Sequence, residues 1–529
     1  MTDRALSIRG NRYPLILPTL RDPRLHVAAV TLSIHVLGQT GLHFALSIPQ
    51  ILAAVLTCAV IEVVLTFRRT RSFVWPASAM LTGTGVALIL RVVGTPPDDP
   101  WNTYAWYVFA AVAAFSLLTK YVIRFRGDQV FNPSNVGLVV AFLVLGSSRV
   151  EPLDFWWGPF TAWLLAAYIV IIVGASFITW RLHLLALSAI FWVTLAIGMG
   201  ILAASGHCMT ANWAFAPVCG SDFWRVIVTS PEVLIFVYFM ITDPRIVPAG
   251  RVARIAFGVI VAVACTLLMA PQTDEWGTKV GLLAGLTVVC AGRFLLQRFM
   301  PEPRSAADSL GQFATRLATG GNAGAGILRG ALRVGLIGVA VLGVGVGIVV
   351  AGTPARGYVP PNTSEILGQV PHQVDPATFP AITVHQSVRD WDHAIAADAQ
   401  TLLMILAENL EIESQALLRS DPSLLAAVDH GDRLAAMQGR LQRDKATGTV
   451  VVDHYTFDSV NVTLLVPFGV QTGLSLGFDA RGTVTEETYD TAGHLVSRAS
   501  SPFAQTFAIR RATGARWLNV AVLPPGAGT

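Results

Sequence analysis

Three polar side chains recur at helical spacing in the first long apolar stretch of the sequence. His35, Gln39 and His43 occupy positions i, i+4 and i+8, so a helix would present them on one face. Such side chains could ligate haem or bind a quinone headgroup, because ionisable residues inside membrane segments often serve a function. The sequence offers no second matching pair. We therefore favour hydrogen bonding between helices, with His43 near the outer interface.

A second candidate site lies in residues 120–137, which read KYVIRFRGDQVFNPSNVG. A basic cluster and a glycine-aspartate turn lead there to Asn132 and Pro133, which open another apolar run. Asparagine caps free N–H groups and proline fits the first helical position, so the pair predicts a helix start. A polar helix start between two membrane-length segments can bind an anion or a polarised ring. The alternative is an ordinary loop followed by a capped helix.

A third candidate is the carboxyl group of Glu62, near the inner end of the second apolar run. An acid at this depth could relay protons. Pairing with an arginine such as Arg68 or Arg69 is an equal alternative.

The five cysteines fall into two groups. Cys208 and Cys219 lie close together in the loop formed by residues 205–223, which the predicted topology places on the oxidising side of the membrane. We expect a disulfide rather than free or metal-binding thiols. Cys58, Cys265 and Cys290 fall inside apolar runs without CxxC spacing, which favours packing over iron–sulfur ligation.

The composition of the sequence indicates the class of protein to which these residues belong. Of the 529 residues, 53% are hydrophobic and only 13% are charged, and the mean hydropathy is +0.57. These values indicate a polytopic protein embedded in a lipid bilayer. The net charge of +4 is too small to indicate a nucleic-acid partner. The sequence contains no Walker, GxGxxG, HExxH or nucleophile-elbow motif, which argues against the common soluble enzymes.

Eleven apolar runs have membrane-spanning length. They cover residues 25–44, 49–66, 73–92, 104–122, 131–146, 159–179, 184–204, 225–242, 255–270, 278–296 and 333–352. Arginines cluster in alternate connecting segments, so the positive-inside rule predicts a cytoplasmic N-terminus over residues 1–24. That segment is polar and bears arginines, so we expect no cleavable signal peptide there. We expect a multi-pass protein of the cytoplasmic membrane.

The first ten runs form a membrane domain over residues 25–297. They divide into two sets of five, which predicts inverted repeats if the halves are homologous. Ser230-Pro231-Glu232 interrupts the second half and leaves a short segment that resembles a half-helix. Sites in such folds commonly lie at the repeat interface, so we expect one there.

The remainder of the chain predicts a linker, one more span and a separate domain. Residues 298–332 are rich in Arg, Gly, Ala and Ser and predict a flexible cytoplasmic linker, followed by the eleventh helix at 333–352. A tether over 353–383 leads to an extracytoplasmic domain at 384–529. Helical periodicity at 388–418 and 422–444 precedes four strands, which predicts an α+β fold of the NTF2 or cystatin type. We expect this domain to fold independently and to dock over the 205–223 loop.

Three stretches resemble the membrane subunit shared by two electron-transport complexes. They are PASAMLTGTGVALILRV at 76–92, RGDQVFNPSNVG at 126–137 and FMITDPRIVPAGRVARIAFGVIVA at 239–262. The family comprises the NqrB component of the sodium-pumping NADH:quinone reductase and the RnfD component of the Rnf complex (NqrB/RnfD). The resemblance covers roughly residues 25–297. The segment GHCMTANW and the C-terminal tail are similar to an actinobacterial branch associated with enediyne biosynthesis.

The resemblance implies a flavin, FMN or riboflavin, in the membrane domain. The residues that it assigns to the flavin environment are Thr82, Thr84, Asn132, Asn135 and Asp243. In the family, another flavin is joined through a phosphoester to a threonine in an external SGAT-type motif, and Thr210 is the positional candidate here. This chain has SGHCMT instead, with no preceding aspartate and two extra residues before Thr210. We therefore expect a noncovalent flavin.

These observations together predict an integral membrane electron-transfer subunit. Its partners would be the lipid bilayer and either redox proteins or a quinone. The alternative is a transporter or an assembly scaffold that keeps the fold without a cofactor. The altered threonine motif and the large external domain motivate that alternative.

Overall fold

The computed structural model describes residues 5–8, 11–42, 44–96, 99–153, 162–211, 218–319, 327–356, 374–391, 393–465, 475–490, 492–511 and 516–527. The chain forms two compact units. The membrane unit comprises residues 1–209, 218–357 and 468–470, and the C-terminal unit comprises 210–217, 358–467 and 471–529.

The membrane unit is mostly helical, and a helix overlaps each of the eleven apolar runs. The helices are α1 Pro23–Thr40, α2 Ile48–Thr70, α3 Ala77–Ile89, α4 Trp106–Val122, α5 Pro133–Leu145, α6 Ala162–Arg181, α7 Leu185–Ala204, α8 Gly220–Met240, α9 Arg251–Met269, α10 Glu275–Phe299, α11 Leu310–Thr319 and α12 Ile327–Ala351. Six of these described helices, α2 and α6 to α10, are long and apolar enough to cross a membrane. The unit therefore has the composition and helix lengths of a membrane protein.

Local signals in the sequence explain where several helices begin. Pro23, Pro133 and Pro231 each stand in the first helical turn after a residue whose side chain accepts a backbone N–H. Helix α8 is interrupted at Ser230, which has extended backbone angles and caps the second segment, Pro231–Ile235. A π-helical turn, Phe236–Met240, completes α8.

Close helix contacts in this unit depend on glycine. A Cβ atom at Gly83 in α3 would lie 2.6 Å from the backbone oxygen of Ala54 in α2. At Gly285 in α10, a Cβ atom would lie 2.5 Å from Cys265 Sγ in α9. Small residues permit this close approach, which supplies the packing energy between helices in a membrane.

Short strands join the ends of the helices. They are β1 Ala5–Ile8, β2 Asn11–Ile16, β3 Phe73–Val74, β4 Leu90–Val92, β5 Arg124–Phe125, β6 Asp128–Gln129, β7 Val150–Pro152, β8 Cys208–Met209 and β9 Val218–Cys219. Strands β1, β2 and β3 form a three-stranded sheet, and the other strands pair as β4-β7, β5-β6 and β8-β9. The β5-β6 hairpin leads directly into α5, and it therefore sets the approach of the chain to Asn132.

The C-terminal unit packs helices on a five-stranded sheet of order β10-β11-β12-β13-β14. Its elements are β10 Ile382–Val384, α13 Gln386–Trp391, α14 His393–Ala397, α15 Ala399–Arg419, α16 Pro422–Val428, α17 Gly431–Thr447, β11 Val450–Leu465, β12 Ser475–Tyr489, β13 Leu495–Arg511 and β14 Trp517–Leu523. Strands β11 to β14 form an antiparallel meander, whereas β10 pairs with β11 in parallel. Leu403 and Leu406 of α15 lie in a core with Phe478 and Phe507 of the sheet.

Three details differ from the sequence-based expectations. The 298–332 linker, which we expected to be flexible throughout, contains the helix α11. The helical pattern at 422–444 is divided between α16 and α17, because Asp429 and His430 adopt extended backbone angles between them. The periodicity at 388–418 is likewise divided among α13, α14 and α15.

Candidate functional site

The start of α5 carries the densest polar network inside the membrane unit. Asn132 Oδ1 accepts the backbone N–H of Asn135 at 3.1 Å and the hydroxyl of Ser134 at 2.9 Å. Its Nδ2 donates to Met240 O and to Asp243 Oδ2, both at 3.4 Å. Asn132 therefore caps α5 and also connects it to the end of α8, more than a hundred residues later in the chain.

Asn135 makes the corresponding connection to α10. Its Nδ2 donates to Leu283 O at 2.9 Å and to Thr287 Oγ1 at 2.8 Å. The side chain is 1% exposed, and Oδ1 accepts no hydrogen bond from the described residues. A buried amide oxygen without a donor costs about 1–3 kcal/mol, so this atom is a candidate contact for a ligand N–H.

A buried arginine of α10 binds two backbone segments next to this network. Arg293 of α10 is 3% exposed. It donates through Nη1 to Arg245 O at 2.8 Å and through Nη2 to Gln129 O. Arg293 thus links the β5-β6 hairpin and the segment after α8 to α10 through hydrogen bonds. It was not among the residues predicted from the sequence, although an arginine inside a predicted apolar run was a usable signal.

Glu62 lies in a charged group formed by α2 and α4. Lys120 Nζ donates to both carboxylate oxygens of Glu62, at 3.0 Å and 3.2 Å, and Tyr121 donates its hydroxyl to Glu62 Oε2. The guanidinium of Arg69 lies over the Tyr121 ring, 5.5 Å from its centroid. Glu62 therefore pairs with a lysine, and Arg69 contacts the aromatic ring beside it.

The two threonines and the first-helix side chains lie apart from this network. Thr82 and Thr84 donate to the backbone oxygens of Ser78 and Met80, one turn earlier in α3. Their helix nevertheless reaches the start of α5, because a Cβ atom at Gly85 would lie 3.1 Å from Ser134 Oγ. The network thus joins three of the five expected flavin residues directly.

His35 and Gln39 make different contacts. His35 is buried in α1 and faces the backbone of Thr84, and neither ring nitrogen makes a hydrogen bond of good geometry with the described residues. Gln39 Nε2 donates to Leu46 O at 2.6 Å. His43, the third member of the predicted face, lies outside the described residues.

Two neighbouring cavities lie between α8 and α10, and the larger one also contacts α3 and the network. The larger is lined by Leu88, Ile89, Pro152, Leu153, Glu232, Ile235, Phe236, Met240, Lys279, Leu282 and Leu283. Met240 and Leu283, whose carbonyls bind the two asparagines, are shared by the cavity wall and the network. The polar helix start and a mostly apolar cavity are therefore adjacent.

Glu232 and Lys279 line both cavities, and Glu275 lines the smaller one. Lys279 Nζ lies 3.1 Å from Glu232 Oε1 and 2.5 Å from Glu275 Oε1. The described lining thus contains two carboxylates and one ammonium group. These residues were not predicted from the sequence, because Glu232 and Lys279 are 47 positions apart and each alone is ordinary.

The 205–223 loop contains the remaining predicted residues. Cys208 and Cys219 form a disulfide, and β8 and β9 pair at the same two residues. Thr210 follows β8 and is half-buried. The neighbouring His207 is fully buried against the Phe223 ring, and burial, assisted by the charge of Arg356, lowers the pKa of His207 to about 4.

The three other cysteines are buried and reduced. Cys58 Sγ donates to Ala113 O at 3.4 Å, and Cys265 Sγ donates to Leu282 O at 3.2 Å. Among the described residues, no group of three or more His, Cys, Asp or Glu side chains could hold a metal ion.

The structure therefore defines a helical membrane unit with a polar, cavity-lined centre, joined to an α+β unit. Comparison with known proteins adds no family assignment: no protein-family model matches the chain, and no curated protein sequence matches it.

Proposed function

We propose that this protein is an integral membrane electron-transfer subunit that binds a flavin noncovalently beside the start of α5. The observation that carries the proposal is the meeting of Asn132, Asn135 and Asp243 next to an apolar cavity. Side-chain amides at a polar helix start can hydrogen-bond the polar edge atoms of a planar ring. The resemblance to the NqrB/RnfD family supports the same function.

The proposal includes an arrangement of helices. The first ten helices would form two inverted repeats of five, with the cavity at their interface near the bilayer midplane. The N-terminus would be cytoplasmic, and the C-terminal unit would be an extracytoplasmic domain of NTF2 or cystatin type.

The chemistry of the described residues fits a flavin. Asn135 Oδ1 can accept the N–H of a uracil-like ring edge, and the N-terminal dipole of α5 favours negative charge nearby. A flavin supplies reversible one-electron and two-electron transfer when bound. The apolar walls formed by α3 and α8 would exclude water, and the polar network would keep the asparagines in place.

The charges of the cavity favour an uncharged flavin over a phosphorylated one. Lys279 is already paired with Glu232 and with Glu275, which lines the smaller cavity, so the two cavities together carry one more negative than positive charge when both acids are ionised. A phosphate dianion in this space would be repelled in a medium of low dielectric constant. We therefore expect riboflavin rather than FMN in this cavity.

The experiment is an absorption spectrum of the full chain purified in detergent, followed by acid precipitation and chromatography of the released chromophore. We expect a yellow chromophore that leaves the polypeptide on precipitation and elutes as riboflavin. A chromophore retained by the precipitate would indicate attachment at a residue such as Thr210. A folded, monodisperse protein without flavin would refute the proposal.

A matched pair of variants tests the site. Asn135→Leu should weaken flavin retention at least fivefold, since a net hydrogen bond contributes about 1 kcal/mol. Asn102→Ala, at a partly exposed loop asparagine outside the network and the cavity lining, should leave retention unchanged. Equal retention in the two variants would place the flavin elsewhere.

A transporter is the second candidate function. The specific observation in its favour is the ion-paired group of Glu232, Glu275 and Lys279 on the cavity wall, because charged residues inside a membrane commonly mark a solute or ion path. Uptake of a solute or an ion by vesicles that contain the flavin-free protein would support this alternative.

A further inference from the structure

A layer of polar side chains divides the interior of the C-terminal unit. On one side, Leu403 and Leu406 pack with the sheet. On the other side, a second core contains Leu425, Val428 and Met437. Between the two cores lie polar side chains that hydrophobic packing does not explain: the buried Asn409, Glu413, Asp429 and Asn519, and the partly buried Arg433.

Most of this layer is fully hydrogen-bonded. Asn409 Nδ2 donates to Asn519 Oδ1 at 3.2 Å, and Asn519 Nδ2 donates to Glu413 Oε1 at 2.8 Å. Arg433 binds Glu413 in bidentate fashion, with Nε at 2.9 Å from Oε1 and Nη2 donating to Oε2. Two donors thus occupy Oε1, whereas Oε2 keeps one lone pair.

Asp429 is the exception. It is 1% exposed, and neither carboxyl oxygen makes a hydrogen bond of good geometry with the described residues. Its backbone is held on both sides, because its N–H donates to Leu425 O and the next N–H, from His430, donates to Asn519 O, each at 2.8 Å. The backbone therefore directs this carboxyl group into the polar layer beside Glu413 and Asn519.

The charges around Asp429 do not balance if it is ionised. The groups that face the layer come from α15, α17, β11, β14 and the chain next to Asp429: they are Glu413, Arg433, Tyr455, Asn519 and His430. Arg433 is the cation bound to Glu413, so a second carboxylate here would be buried without its own counter-ion. Such a charge is costly, and a carboxyl group in this position keeps its proton instead.

We propose that Asp429 and Glu413 share one proton in the folded protein, and that this buried carboxyl pair is a pH-sensitive latch holding α16 and α17 against β14. The Asp429 O–H donates to the open lone pair of Glu413. Loss of the proton leaves two adjacent carboxylates on one arginine. Repulsion and hydration of Asp429 then release the corner formed by residues 422–447.

The direction of the pH effect follows from the environment. Burial, and then the charge of Glu413, raise the pKa of Asp429 well above its ordinary value of 3.8. At pH values between 3.8 and the raised pKa of Asp429, the folded state holds a proton that the unfolded chain has lost. Stability of the corner therefore falls as the pH rises, by up to tenfold in its opening constant per pH unit.

The test is hydrogen–deuterium exchange of the full chain in detergent at about pH 4 to 6, below the ordinary histidine range. Rates are corrected for intrinsic exchange and compared for Asp429→Asn and Asp458→Asn. Asp458 is an exposed acid on β11, so it serves as the matched control. The infrared band of a protonated carboxyl is recorded for each protein at the same pH values.

We expect protection of residues 422–447 to fall with rising pH in the natural protein and in Asp458→Asn, and to be independent of pH in Asp429→Asn. At pH 6, where exposed acids are ionised, the infrared band of protonated carboxyls should be weaker by one group in Asp429→Asn than in the natural protein and in Asp458→Asn. A corner whose protection does not change with pH in the natural protein would overturn the proposal, whatever the stability of the variants. So would an unchanged pH dependence, or an unchanged infrared band, in Asp429→Asn.

Discussion

Removal of Lys120 should destabilise the membrane unit through the carboxylate that it leaves behind. The perturbation is Lys120→Met, which keeps the length of the side chain and removes its charge. Glu62 would then keep the Tyr121 hydroxyl and lose its only ion-pair partner among the described residues. The side chains of Lys120 and Glu62 are 11% and 17% exposed, so water can compensate only in part.

The size of the effect follows from this burial. Breaking a fully buried ion pair costs 3–5 kcal/mol, and partial exposure reduces the expected loss to about 2 kcal/mol, or roughly thirtyfold in the unfolding constant. Glu62→Gln should cost a similar amount, because it leaves Lys120 unpaired. The double variant removes both charges and should lose only about 1 kcal/mol. The coupling energy of the cycle is then about 3 kcal/mol in magnitude.

The assay is equilibrium unfolding of the full chain in mixed micelles by increasing fractions of a denaturing detergent. The Arg225–Asp222 pair is the control, because its side chains are 70% and 68% exposed. The cycle at that pair should show no measurable coupling. If Lys120→Met and Glu62→Gln are additive in the double variant, the ion pair does not stabilise the protein and the reasoning is refuted.

Three further predictions follow from packing, titration and covalent structure. A Cβ atom at Gly83 would clash with the backbone of α2, so Gly83→Ala should lower the thermal stability of the purified protein. The control is Gly292→Ala, which faces open space and should leave the stability unchanged. Equal effects of the two variants would exclude close α2–α3 packing as the cause. The hydrogen bond to Glu411 raises the pKa of His454. The contact between protonated His454 and Glu411 therefore stabilises the folded C-terminal unit below the ordinary histidine pKa of 6.5, and this stabilisation is lost as the pH rises through the raised pKa. His454→Gln should remove that pH dependence from the exchange of β11, and a retained slope would contradict it. Cys208→Ser should destabilise the short loop closed by the disulfide by roughly 3 kcal/mol, measured by thermal unfolding. Thiol labelling at Cys208 or Cys219 of the unreduced natural protein would disprove the bond.

Local features of the sequence were sufficient for much of the secondary structure. Apolar runs of about twenty residues are helical because a helix satisfies its own backbone hydrogen bonds. Asn132 and Pro133 begin α5 because capping involves only neighbouring residues. The period-two pattern after residue 449 indicates β11 to β14, although the short parallel strand β10 gave no comparable signal.

The partners of the polar residues were decided by tertiary structure alone. Glu62 pairs with Lys120, 58 residues away, and Asn135 binds Thr287, 152 residues away. Periodicity shows which face of a helix is apolar, but it does not show which helix covers that face. Asp429 is the clearest case, since its sequence position after Val428 is that of an ordinary helix end. Only the packing of α15, α17 and β14 around it makes its carboxyl group buried and without its own counter-ion, because burial and charge balance depend on contacts that are distant in the chain.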